Sequence, residues 1–164
     1  MGKVNIGEMG KIEYNNIGLL TVKYPFYLSS DRIVTAFVYD LIEKKFIDSK
    51  LRDYLEFEIE PNKHVFFELV CDINNCKLKI YSINVATDIK CYGDYEQEEI
   101  SSVTVNNVYS VEFDRNRFRS FSVDDTAPDI LRFILGYLIP IDLPYNQFYY
   151  SDVNEIVDKI KQFF

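Results

Sequence analysis

An α+β fold is predicted: an antiparallel β-sheet, a meander of hairpins, with a helix near residues 31–46 and two C-terminal helices packed on it. Three observations predict it. Strand-type alternation dominates the first two thirds of the chain. Helix-type periodicity closes it. Turn and cap residues stand between the apolar segments, with no linker, repeat or low-complexity block. The chain of 164 residues suits a single globular domain over 1–164.

The elements follow in order. Short strands are expected at Val4–Ile6, Lys11–Tyr14 and Gly18–Tyr24, with a turn at Asn15-Asn16 and an end or edge at Pro25. Ser29-Ser30-Asp31 offers a helix N-cap. Ile33, Phe37 and Leu41, with Val34, Val38 and Ile42, recur at helical spacing, which gives the helix to about Phe46, although the same residues are also good strand material. Leu55, Phe57 and Ile59 alternate with Glu56, Glu58 and Glu60, an inward–outward strand. A hairpin with a two-residue turn at Asn74-Asn75 sets Cys71 against Leu78 and Ile73 against Cys76, with Asp72 opposite Lys77. After Ile80 the pattern slips to Tyr81, Ile83 and Val85, which a bulge or burial of both faces explains. A second hairpin at Arg115-Asn116 sets Phe113 against Phe118 and pairs Glu112 and Asp114 with Arg119 and Arg117. Thr126, Pro128 and Asp129 open a helix that ends near Leu138, before Pro140. Ser151 or Asp152 caps the last helix, whose stripe is Val153, Ile156, Val157, Ile160 and Phe163.

Composition narrows the function. The chain has 13 Tyr and 13 Phe but one His, three Cys and no Trp, and a net charge of -8. That balance argues against general nucleic-acid binding, which draws its affinity from Lys and Arg on phosphates. The longest apolar run, Ile130 to Ile141, falls short of the ~20 residues needed to span a bilayer. No secretory signal opens the chain, and Ile6 breaks a myristoylation motif. Three irregularly spaced cysteines suggest a reducing compartment, hence the cytoplasm.

No catalytic, cofactor or metal motif is present. His64 starts a strand with no nucleophile motif around it and no second His for a metal site. Cys71 and Cys76 fall diagonal in the hairpin register, at the long end for a disulfide, and read as small core residues. Asp124-Asp125 reads as a helix entrance. Two segments look like contact surfaces. One is an expected loop in which Tyr92 and Tyr95 interleave with Asp94, Glu96, Glu98 and Glu99. Acids steer a basic partner and tyrosine anchors an interface. The other is the aromatic connector Pro144 to Tyr150, which could instead cover the sheet.

In size, acidity and richness in Tyr, Asn and Ile, without catalytic residues, the chain resembles the immunity proteins of bacterial polymorphic toxins, including those of contact-dependent growth inhibition. The resemblance implies a cytoplasmic inhibitor. It would bind a cognate toxin domain, a basic nuclease, and occlude its active site without cofactor, nucleic acid or membrane. Two other readings stand beside it: a small enzyme built from dispersed carboxylates and tyrosines, and a structural or accessory subunit.

Overall fold

The structure, a computed structural model, describes residues 2–15, 19–29, 31–51, 53–114 and 152–163. Eleven strands and one helix lie among them. In chain order they are β1 (Gly2–Ile6), β2 (Gly10–Tyr14), β3 (Leu20–Pro25), β4 (Tyr27–Leu28), β5 (Ile33–Asp40) and β6 (Lys45–Phe46). Then come β7 (Lys50–Leu51), β8 (Tyr54–Ile59), β9 (His64–Cys71), β10 (Asn75–Tyr92), β11 (Tyr95–Asp114) and α1 (Val153–Phe163). All pairings are antiparallel. One sheet has the order β1-β2-β3-β8-β7. The other has the order β11-β10-β9-β5-β4, with β6 also on β5.

The described chain is thus mostly β, a correction to the α+β expectation. Residues 31–46 form β5, a turn and β6 rather than a helix. The physical reason is that every residue of β5 is buried. A central strand covered on both faces reads as a continuous apolar run, and such a run satisfies helical spacing by default. The Ser29 hydroxyl still caps backbone, accepting from the Arg32 N–H at 3.0 Å, but it caps the turn between β4 and β5. Of the two C-terminal helices, α1 forms with Ile156 and Val157 buried. The helix expected over 126–138, the hairpin at Arg115-Asn116 and the connector 144–150 lie outside the described residues.

Two hydrophobic layers hold the fold together. Ile12, Val22, Tyr24, Leu55 and Phe57 of the first sheet meet Val34, Val38, Phe66 and Ile83 of the second. On the far side of the second sheet, Phe37, Phe67, Leu69, Leu78 and Phe113 pack with Ile156 and Val157 of α1. β5 and β9 are covered by both layers, which is why they are mostly apolar, with Thr35, Asp40, His64 and Glu68 as their buried polar residues. Phe37 and Phe67 stack in the outer layer with centroids 4.7 Å apart.

The β9–β10 turn differs from expectation in register. Cys71 pairs directly with Cys76 and the Asp72 N–H donates to the Asn75 carbonyl at 2.9 Å, so the turn centres on Ile73-Asn74 rather than Asn74-Asn75. The Asp72 carboxylate accounts for this, accepting from the N–H groups of Asn74 and Asn75, both at 2.7 Å. Ile73 is left exposed, and Lys77 finds Glu112 at 3.3 Å instead of Asp72. The direct pairing brings the two Cα atoms to 4.0 Å, and Cys71 and Cys76 form a disulfide inside the outer layer. This corrects the reading of both as simple core residues and removes the cysteine argument for a reducing compartment. A bridge closing so short a loop contributes on the order of 2 kcal/mol in the chain-entropy account. The Cys71→Ala/Cys76→Ala variant is therefore expected to fold with a stability lower by about that much in urea titration. Equal stability of the two proteins would show that the bond contributes nothing.

After Ile80 a bulge accompanies the slipped pattern, whereas burial of both faces does not: Ser82 is half-buried and Asn84 exposed. The partner of β10 jumps from Tyr109 to Asn107, so Val108 bulges, and Tyr81 and Ile83 turn into the layer between the sheets.

Candidate functional site

Beyond Val85 the two longest strands leave the packed body. Residues 86–92 of β10 are all exposed, and β11 opposite them is exposed or half-buried wherever its side chains are described. A second register shift marks the departure, where Ser101 bulges and its hydroxyl donates to the Ala86 carbonyl at 2.8 Å. From Thr87↔Ile100 to Tyr92↔Tyr95 the strands remain paired. At about 3.4 Å per residue this two-stranded arm reaches about 20 Å.

The segment expected as a loop is thus a hairpin tip. Only Gly93-Asp94 turn the chain. Gly93 has φ 64°, as the first central residue of a two-residue turn of type II′ requires. Alternation sorts the candidate residues onto two faces. Tyr92, Tyr95 and Glu99 share one with Asp88, Lys90 and Gln97. Glu96 falls on the other with Ile89 and Cys91, and Asp94 sits in the turn. Glu98 pairs with Ile89 along the backbone. Lys90 reaches diagonally to Glu99 at 3.0 Å, and that bond and charge hold its ammonium above the usual lysine value.

Five carboxylates and one lysine lie between residues 86 and 102, so the arm carries much of the chain's excess negative charge. Among them stand large apolar surfaces: Ile89 is 63% exposed, Tyr92 58% and Tyr95 77%. Ile89 is the exposed apolar residue of the arm that sequence reasoning missed. Its alternation with Cys91 was legible, but the absence of a covering layer was not.

Two other polar clusters are structural. Asp40, at the end of β5, accepts from the N–H groups of Ile42 at 2.9 Å and Glu43 at 2.8 Å. Its second oxygen faces Lys63 at 3.4 Å and His64 at 3.3 Å. Burial alone would raise this carboxyl, but those hydrogen bonds and charges outweigh it and hold it below its ordinary value. The His64 Nδ1 accepts from the Glu60 N–H at 2.9 Å, so Nε2 carries the proton shared with Asp40. Both ring nitrogens are engaged. His64, which does open β9, has none left to act as a base on Ser82 in the adjoining cleft.

Glu68, in the middle of β9, is 1% exposed in the layer between the sheets. Its Oε2 accepts from the Tyr24 hydroxyl at 2.7 Å and the Glu8 N–H at 2.8 Å. Burial pushes its carboxyl above the ordinary value, Tyr24 far up and Tyr81 up to about 12. No group of His, Cys, Asp and Glu suited to a metal occurs among the described residues, and no described helix is long and apolar enough to cross a membrane.

No family model and no curated protein sequence matches this chain. Solved structures do. ORF157 from Acidianus filamentous virus 1 is 15% identical, with a TM-score of 0.56 over 88% of this chain and 96% of its own. A glutamate-to-alanine variant of the same viral protein, also 15% identical, superposes with a TM-score of 0.53 over 88% and 95%. An engineered protein solved as a structural-genomics target is 14% identical, with a TM-score of 0.55 over 89% and 95%. At these identities the likeness is one of fold. The matching structures are viral and engineered proteins rather than immunity proteins.

Proposed function

We propose that this chain is a protein-binding module whose contact element is the β10–β11 arm. One observation carries the reading. Past Ile100, which still packs on the layer between the sheets, the arm lies outside both hydrophobic layers and presents Ile89, Tyr92 and Tyr95 among carboxylates. Exposed aromatic and aliphatic side chains concentrated at one end mark a contact site, and tyrosine is a frequent energetic anchor. The surrounding acids select a basic partner surface and speed its encounter. The finer form is the cytoplasmic inhibitor that the sequence resemblance implies, with the arm seated in the active-site cleft of a cognate toxin domain.

The test starts with a photo-crosslinking residue at position 95, which identifies the partner in cells. Association kinetics with that partner are then measured for Asp94→Lys/Glu96→Lys/Glu99→Lys. The expected result is an on-rate at least about tenfold lower at low salt, with a flattened salt dependence. An unchanged on-rate and salt slope would sink the arm as the steering surface. The inhibitor form makes its own demand: a gene immediately upstream encoding a large secreted protein, whose C-terminal domain this chain inactivates.

The enzymatic reading is favoured by one arrangement, the convergence of Glu68, Tyr24, Glu8 and Tyr81 between the sheets. Its central carboxyl lies behind the β1–β2 turn, closed to substrate, so the binding reading is preferred.

A further inference from the structure

Glu68 stands between Ala36 of β5 and Lys79 of β10, with its side chain turned toward the first sheet. The β1–β2 turn lies directly on it. Gly7 takes φ 66°, and a Cβ there would overlap the Glu68 carboxyl, so the turn fits against this group only with glycine at position 7. Oε2 holds the turn through the Glu8 N–H and holds β3 through Tyr24. Oε1 is buried with no hydrogen-bond partner among the described residues.

That asymmetry has a physical consequence. A carboxylate this deeply buried, with one oxygen met by no donor among the described residues, is more costly charged than neutral. Hydration of Oε1 would favour ionisation, and the Gly7–Met9 turn, which packs on the carboxyl, opposes that hydration while it is closed. We propose that Glu68 is a proton-operated latch: when neutral it holds the Gly7–Met9 turn against the second sheet, and when ionised it releases the turn. Release opens the inter-sheet layer to the adjoining cleft, about 540 Å³, which is lined by Glu8, Asp31, Arg32, Lys77 and Glu112.

The groups facing Glu68 are Glu8 from the turn, Tyr24 from β3, and Lys79 and Tyr81 from β10. β5 offers Val34, Ala36 and Val38. Lys79 is engaged with Glu8 at 3.4 Å. Burial raises the Glu68 carboxyl above its ordinary value of 4.5, against the opposing hydrogen bonds from Tyr24 and the Glu8 N–H. A raised folded value means the closed turn retains the proton that the open turn gives up. Closure is complete below the ordinary carboxylate range and weakens as pH rises through the folded value. The latch does not depend on the arm or its partner.

Amide hydrogen exchange at Glu8, corrected for its intrinsic pH dependence, reads the latch in the full chain. Its protection should fall by up to about tenfold per pH unit through the transition, as for one linked proton. The carbon resonance of the Glu68 carboxyl should titrate over the same range, with a midpoint above the ordinary one. Glu68→Gln should abolish the fall and Glu8→Gln should keep it. Flat protection in the wild-type chain, an ordinary Glu68 midpoint, or the same fall in Glu68→Gln would each overturn the proposal. If Glu68→Gln does not fold, the two wild-type measurements decide alone.

Discussion

Phe66→Ala should cost roughly 3–5 kcal/mol, as expected for emptying a fully buried aromatic site. Phe66 has no exposed surface and ties the two sheets together. Its ring lies 5.9 Å from Tyr24 on β3, 6.4 Å from Phe57 on β8 and 6.3 Å from Tyr81 on β10, measured between centroids. The loss is large against the 5–15 kcal/mol that holds a typical domain, so a urea midpoint lower by at least about 1 M is expected. Ile89→Ala on the arm, which removes an exposed side chain, should change stability by no more than about 0.5 kcal/mol. If Phe66→Ala costs less than about 1 kcal/mol, the layer between the sheets is not the packed core described above.

Excising the arm should separate folding from binding. Replacing residues 87–101 with Asn-Gly joins Ala86 to Ser102, which already face each other in register, through a turn suited to two-residue hairpins. Nearly all of the described side chains removed are exposed; Ile100 alone of them packs on the inter-sheet layer, so the shortened chain should still fold, with an unfolding midpoint lower by no more than several degrees. Partner binding should fall more than a hundredfold, because loss of two anchors worth ~2 kcal/mol each exceeds that ratio. A folded, shortened chain that binds with wild-type affinity would remove the arm from the interface. Should the excision fail to fold, Tyr92→Ala/Tyr95→Ala tests the same anchors with the backbone intact.

The parts of the fold legible in the sequence are those where one face is wet. β8 shows its inward Leu55, Phe57 and Ile59 against outward glutamates because water covers its other side. α1 shows its stripe for the same reason. β5 was misread because both its faces are covered, and burial on two sides erases the period that separates strand from helix. The β9–β10 register was misread by local turn chemistry. Asn-Asn is a good two-residue turn, but Asp72 draws the turn back by one residue, onto Ile73-Asn74, by accepting two backbone N–H groups.

The arm was half legible. Acids and tyrosines at 92–99 announced an exposed segment, yet their alternation is also that of a strand, and no local feature distinguishes a strand end within a sheet from one projecting past it. Glu68 was not legible as special at all. In sequence it is one glutamate between Phe67 and Leu69, and only the approach of Gly7 and Tyr24 from the other sheet makes it a buried acid.

By itself, then, the sequence determined the local periods, the turn and cap chemistry, the acidic balance and the absence of a recognisable catalytic motif. All of these depend on neighbours within a few residues. The tertiary structure alone decided which strands are covered twice, where the long hairpin outruns its sheet, and which carboxyl loses contact with water. Those outcomes depend on what a second sheet places across a layer, and strands far apart in the chain leave no shared mark on its local pattern.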